Sequence, residues 1–256
     1  MKGFGAFFMK ELRELVRTKR LMLILGVFTV IGIMDPAIAK LTPKLYEMMA
    51  EDLKSQGITM GEIKVTAMDC WAQYVKNIPM GLIVLLIIFC GIYTSEYSKG
   101  TLIPLFTKGL SRSSVVLSKF AVMVLTWTAG SWLCFGVTYF YSGFYWDNSA
   151  VKNLLFSGFG WWLFGVLMIS LIVFFSAFAY SPAQVMLGAG AVYFAMTLIG
   201  MYSKAGKYLP VSLTDSLSLY KGETVPDDCL AAAAITAALS LALVLAALPL
   251  TRDRKI

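Results

Sequence analysis

The sequence predicts an all-α polytopic membrane protein with six transmembrane helices, and two observations carry that prediction. Of 256 residues, 58% are apolar and 14% charged, where an average soluble domain is roughly half apolar and about a quarter charged. Between Lys152 and Lys204 the chain runs 51 positions without Asp, Glu, Lys or Arg. As a single helix that stretch would be about 76 Å long at about 1.5 Å per residue, against a hydrocarbon core about 30 Å thick, so it must hold two spans and a turn.

Charge-poor runs of about 18 residues or more place the spans at residues 21–39, 78–95, 120–141, 154–179, 185–202 and 230–250 of one transmembrane domain covering residues 1–256. Ser181-Pro182 separates the fourth from the fifth, because proline lacks a backbone donor and biases its predecessor away from helix. Residues 1–20 with Ala37-Ile38-Ala39 have some features of a cleaved leader, but the basic segment is long for one and carries Glu11 and Glu14, so the first span is expected to be retained.

Within residues 1–20, Phe4, Phe7, Phe8, Leu12, Leu15 and Val16 share one helical face, and Lys10, Arg13, Glu14 and Arg17 the other. Such a helix lies flat at a membrane surface, its bases on anionic headgroups and its Phe rings in the acyl boundary; packing on a soluble partner is the competing reading. Orientation follows from the bases. Residues 1–20, the loop 96–119 and the C-terminal tail carry thirteen of the 22 Lys and Arg, including all six Arg, while eleven of 15 acids fall on the other side. The positive-inside rule puts both termini in the cytoplasm, and the net charge of +7 is explained by this flanking pattern without any nucleic acid.

The longest external stretch is 40–77, where Thr42 and Pro43 read as the start of a helix ending at Gly57, and Thr66 and Asp69 as the cap of another leading into the second span. Trp71, Tyr74, Tyr141, Tyr145, Trp146 and Tyr202 fall near the outer boundary, as an aromatic belt requires. Asp35 beside Pro36 reads as a helix break at the end of the first span, and Lys119 as a snorkelling side chain at the inner edge of the third. Ala234, Ala238, Ala242 and Ala246 recur every fourth residue, a stripe that suits close packing against another helix; the competing reading is that Ala, a strong helix former, faces lipid there.

Chemistry is largely excluded. The chain has no His, which removes the commonest general base and metal ligand. Its four Cys have no CxxC spacing; whether Cys70 and Cys229 pair is left open. The last five spans carry no deep ionisable group, which disfavours ion-coupled transport. Gly206-Lys207 is the nearest approach to a phosphate loop, yet its glycine spacing is one too long and Tyr208 stands where Ser or Thr is needed. This chain is not expected to be an enzyme or to hold a metal or cofactor.

The loop 96–119 is the informative region. Leu102, Leu105 and Phe106 form an apolar face in a polar loop, which suits docking into a groove of another protein or lying on the membrane. Glu96-x-x-x-Gly100-Thr101-Leu102, followed by Thr107-Lys108-x-x-Ser111-Arg112 and by Lys119-Phe120, resembles the signature of type 2 ABC exporter permeases, and Lys10 to Arg20 resembles the elbow helix of that family. Gly109 stands where relatives commonly have Pro.

The resemblance implies the membrane subunit of a bacterial ABC exporter in the cytoplasmic membrane, paired with a second copy or a related permease and with an ATPase subunit that binds the ATP and Mg. Glu96, Lys99, Gly100, Thr101, Leu102, Leu105 and Phe106 would form the coupling helix seated on that ATPase. An amphipathic or apolar cargo such as a peptide, antibiotic or lipid suits aromatic surfaces such as Phe156, Phe159, Trp161, Trp162, Phe164, Met168, Phe174 and Phe175, although helix packing or lipid contact explains them too. The alternative is a non-transporting component for peptide immunity or sensing.

Overall fold

A computed structural model describes residues 3–54, 64–202 and 204–252, and every regular element among them is helical. In chain order these are α1 (Phe4–Arg17), α2 (Arg20–Lys54), α3 (Ala67–Phe89), α4 (Thr94–Ser98), α5 (Ile103–Thr107), α6 (Arg112–Tyr145), α7 (Leu154–Ser176), α8 (Pro182–Tyr202), α9 (Ser216–Lys221) and α10 (Pro226–Arg252). Short 3-10 turns at Asn148–Ala150, Lys204–Tyr208 and Pro210–Thr214 lie between them. Helices α2, α3, α6, α7, α8 and α10 are long and apolar enough to cross a membrane. The chain is an all-α polytopic membrane protein.

The spans alternate in direction, so α1, α4, α5, the α7–α8 turn and the end of α10 share one end, the N-terminal end. A hydrogen bond of 3.0 Å from Arg112 to the Thr251 carbonyl ties α6 to α10 there. Lys19, in the left-handed region at φ 57°, makes the sharp turn from α1 into α2.

The first span differs from expectation. Instead of breaking at Asp35 and Pro36, α2 continues through both Pro36 and Pro43 to Lys54. Each proline removes one ladder bond, but the surrounding turns hold. Thr42 is no cap: its hydroxyl donates to the Ile38 carbonyl at 2.8 Å, inside the helix. The helix end expected at Gly57 lies outside the described residues. The start of α3 does follow local chemistry, since the Asp69 carboxylate accepts from the Thr66 backbone N–H at 2.8 Å and from its hydroxyl at 2.9 Å. At its other end α3 stops at Phe89, short of the predicted Ser95.

The interior is built by large rings meeting glycines. The Phe28 ring of α2 is wedged between α3 and α6, where a Cβ on Gly81 would come within 2.5 Å of it and one on Gly130 within 2.6 Å. Trp127 of α6 lies against Gly165 of α7 and donates its indole N–H to the Trp162 carbonyl at 2.8 Å. Helix α7 is the most buried span and α8 the least; Trp161, Phe164 and Met168 are buried within the chain, while Phe159 is exposed.

At the end opposite α1, Trp71 and Tyr74 are core residues and not part of a lipid-facing belt. The Trp71 ring meets Tyr74, Phe135 and Tyr220 at centroid distances of 5.4, 5.1 and 6.1 Å, and its N–H donates to Asn148 at 3.1 Å. Tyr141, Tyr145 and Trp146 are half-buried, and the side chain of Tyr202 lies outside the described ones. The Pro210–Thr214 turn and α9 close over α7, where Gly160 admits the Leu213 carbonyl and the Ser157 hydroxyl meets those of Ser216 and Tyr220 at 2.6 and 2.9 Å.

On α10 the face turned into the chain is Ala232, Thr236, Ser240 and Ala247. Ala234, Ala238, Ala242 and Ala246 are exposed, so the alanine stripe does not pack within this chain. All four cysteines are free and buried.

Candidate functional site

Helix α1 buries Phe7, Glu11 and Leu15, which are spaced i, i+4, i+8 and therefore lie in one line. A carboxylate in the middle of a buried stripe needs a counter-charge, because transfer of an unpaired charge out of water is prohibitive. Lys119 of α6 provides it. Its ammonium lies 2.8 Å from Glu11 Oε2 and 2.9 Å from Glu96 Oε2, with the Lys119 side chain 1% and the Glu11 side chain 4% exposed. Lys10, on the outer side, lies 2.8 Å from Glu11 Oε1, 2.8 Å from Glu14 Oε2 and 3.3 Å from Glu96 Oε1. Two cations and three carboxylates alternate, joining α1, α4 and α6.

This corner corrects the reading of Lys119 as a snorkelling side chain: it points inward to two acids. The signal was present in the sequence as Glu11, one helical turn from both Phe7 and Leu15, though the partner could not be named from spacing. Oxygens of Glu11, Glu14 and Glu96 lie within 4.8 Å of one another, a geometry a metal ion could use, and the Lys10 and Lys119 ammonium groups already pair with them. Partial burial pushes the Lys10 pKa down, yet its hydrogen bonds to Glu11 and Glu14, with the attraction of Glu11 and Glu96, raise it above the ordinary lysine value. The Lys10 hydrogen bond holds the Glu14 carboxyl below its usual range against the smaller effect of burial.

The connection from α4 to α6 is not one continuous coupling helix. Gly100 adopts φ 65°, a left-handed conformation that glycine takes without strain, and it divides α4 from α5. Gly109, at φ 89°, ends α5 as a left-handed C-terminal glycine does, with Leu110 N donating to the Leu105 carbonyl at 3.1 Å. Ser111 then caps α6 by accepting from Ser114 N at 3.1 Å.

The site residues expected on one docking face are divided. Leu102, 1% exposed, is inserted between Phe7 of α1 and Val115 of α6, with Leu105 and Phe106 half-buried around it. Its apolar surface holds the connection onto the chain itself. Glu96 also points inward, to Lys119 and Lys10. Lys99, Thr101 and Ile103 face outward, Ile103 at 46%. A periodicity argument alone identified the apolar residues but not which protein they would bury themselves in.

Six helices able to cross a membrane, with an N-terminal helix joined by ion pairs to the connection between the second and the third, define a multi-pass membrane component. The ABC-2 family transporter model matches residues 6–221, and the chain belongs to that family. It is thus a permease subunit of an ABC transporter, a class that works with an ABC ATPase. The match runs from within α1 to the end of α9. No curated protein and no solved structure matches the chain.

Proposed function

We propose that this chain is the membrane permease of an ATP-driven exporter, that its N-terminal end faces the cytoplasm, and that the outward residues of α4 and α5 receive the ATPase. The carrying observation is the buried Lys119 held by Glu11 and Glu96. A load applied to α5 passes through Leu102 to Phe7 and Val115, and through Glu96 to Lys119, so that the connection, α1 and α6 move together. Nucleotide binding belongs to the partner ATPase. An amphipathic or apolar cargo is favoured by the apolar surfaces of the spans, and the outward alanine stripe of α10 is available to a second copy or to lipid.

The test is reconstitution with the ABC ATPase that co-purifies with the wild-type chain. Ile103→Asp is expected to reduce ATPase co-purification at least tenfold while the permease itself folds as the wild type does. Undiminished co-purification with normal ATP-dependent efflux from vesicles would remove α5 as the docking segment; compound-stimulated ATP hydrolysis without movement of the compound would overturn the exporter reading. Because the native cysteines are buried, a Cys introduced at exposed Lys108 or Lys64 reports orientation, with Lys64→Cys alone expected to react with an impermeant reagent in intact cells. Ala238→Leu with Ala242→Leu is expected to spare the fold and to lower assembly into complexes of two permeases.

A further inference from the structure

Away from the corner just described, α2 buries a second acid that has no cation beside it. Asp35 is 0% exposed, and among the described residues no Lys or Arg lies within ion-pair distance of it. Its Oδ1 accepts from the Asn77 side-chain amide of α3 at 2.7 Å. Its Oδ2 lies 3.3 Å from the Thr138 hydroxyl of α6, and that same hydroxyl lies 3.3 Å from the Gly32 carbonyl of α2.

The hydrogens can be counted. A helical carbonyl at position 32 would ordinarily accept from the backbone N–H four residues on, but Pro36 stands there and has none. Thr138 is placed to donate either to the Gly32 carbonyl or to Asp35 Oδ2, both at 3.3 Å, and a hydroxyl has a single hydrogen to give. Given to an ionised Asp35, that hydrogen leaves the Gly32 carbonyl without a donor; given to Gly32, it leaves a buried charge underpaired. A proton on Asp35 Oδ2 removes the conflict: the acid donates to Thr138, Thr138 donates to Gly32, and Oδ1 still accepts from Asn77. Gly32 permits the approach, since a Cβ there would come within 2.9 Å of the Cys134 carbonyl.

We propose that Asp35 is a proton-binding site of the membrane domain, a neutral carboxylic acid that completes a hydrogen-bonded chain across α3, α2 and α6 and gives up its proton when these helices part and water reaches it. The other titratable groups around it are Cys70 and Tyr74 of α3, Cys134 of α6 and Tyr220 of α9, all buried and uncharged in their ordinary forms. Lys40 on α2 itself is held 3.7 Å above the Tyr145 ring, and Lys76 of α3 is exposed. The sign follows from linkage: the closed arrangement of α2 on α3 and α6 holds one proton that a hydrated Asp releases at neutral pH, so this contact weakens as pH rises.

Infrared spectroscopy of the purified chain in lipid bilayers, with the Asp carboxyl groups carbon-13 labelled, tests the assignment without the ATPase. At neutral pH the exposed Asp residues are ionised, so an isotope-shifted carbonyl stretch of a protonated acid is expected from Asp35 and is expected to vanish in Asp35→Asn. Labelled bands of carboxylates alone would overturn the proposal. A second readout is the thermal midpoint from about pH 6 to about pH 9, expected to fall in the wild type and to change less in Asp35→Asn; parallel slopes would overturn the proton linkage. Should Asp35→Asn fail to fold, the wild-type band decides.

Discussion

Glu11 and Asp35 are both carboxyl groups removed from water, and the chain neutralises them by different means. Glu11 meets Lys119 at 2.8 Å, within a cluster that reaches solvent through Lys10. Asp35, about 22 Å further along from Arg20 at about 1.5 Å per residue, meets an amide and a hydroxyl among the described residues. Near a boundary, lysine from a neighbouring helix can be brought in because its stem spans apolar surface while part of the cluster stays wet. Deeper in the bundle a second charge would have to be desolvated as well, and that penalty can exceed what the pair gains.

This contrast is open to attack by substitution. Lys119→Met should have the largest effect, since it strands Glu11 and Glu96 without their buried cation; a loss of about 3–5 kcal/mol is expected, read as a drop in the unfolding midpoint. Adding Glu11→Gln to that variant should recover part of the loss, whereas equal or greater loss would mean that the ion pair is not the source. Gly130→Ala comes next, at about 1–3 kcal/mol, because Phe28 is confined by Gly81 on its other face and cannot retreat. If the two acids respond independently, this variant should keep the wild-type slope of stability with pH.

Asp35→Asn should then cost about 1 kcal/mol or less at neutral pH, since an amide can reproduce the acid's one donor and one acceptor. A loss as large as that of Lys119→Met would erase the distinction between the sites. The smallest change is expected for Lys10→Met, about 0–1 kcal/mol, because the Lys10 side chain is 43% exposed. Glu14 is held below its usual value by Lys10, so its contribution is present above about pH 4.3 and fades as pH falls. Lys10→Met should flatten that acid limb, which titration of the unfolding midpoint between about pH 2 and about pH 6 will show.

The class of the molecule was legible in the sequence because desolvating charge is so costly that charge-free runs have few soluble interpretations. The N-terminal helix and the family signature were legible for a similar reason, as patterns local in the chain. Three features were not. Pro36 and Asp35 read as a break, since local propensity does not show that Thr138, more than a hundred residues away, supplies the bond that proline removes. Leu102 read as a docking residue because periodicity gives a face without saying which surface covers it. Lys119 looked like an ordinary boundary lysine, and only folding back of α1 brings Glu11 to it.

The length of α2 gives the wedge at Phe28 a mechanical meaning. Its 35 residues extend about 52 Å at about 1.5 Å per residue, against a hydrocarbon layer of about 30 Å. With Phe28 clasped by Gly81 and Gly130 as the fulcrum, the arm toward Arg20 is about 12 Å and the arm toward Lys54 about 39 Å. A sideways push of 1 Å at the short end therefore swings the far tip about 3 Å the other way. Through α1, whose Phe7 packs on Leu102, the short end is tied to the connection between the second and third spans. Beside Pro36, α2 is tied to α6 through Thr138, which lies 3.3 Å from the Gly32 carbonyl.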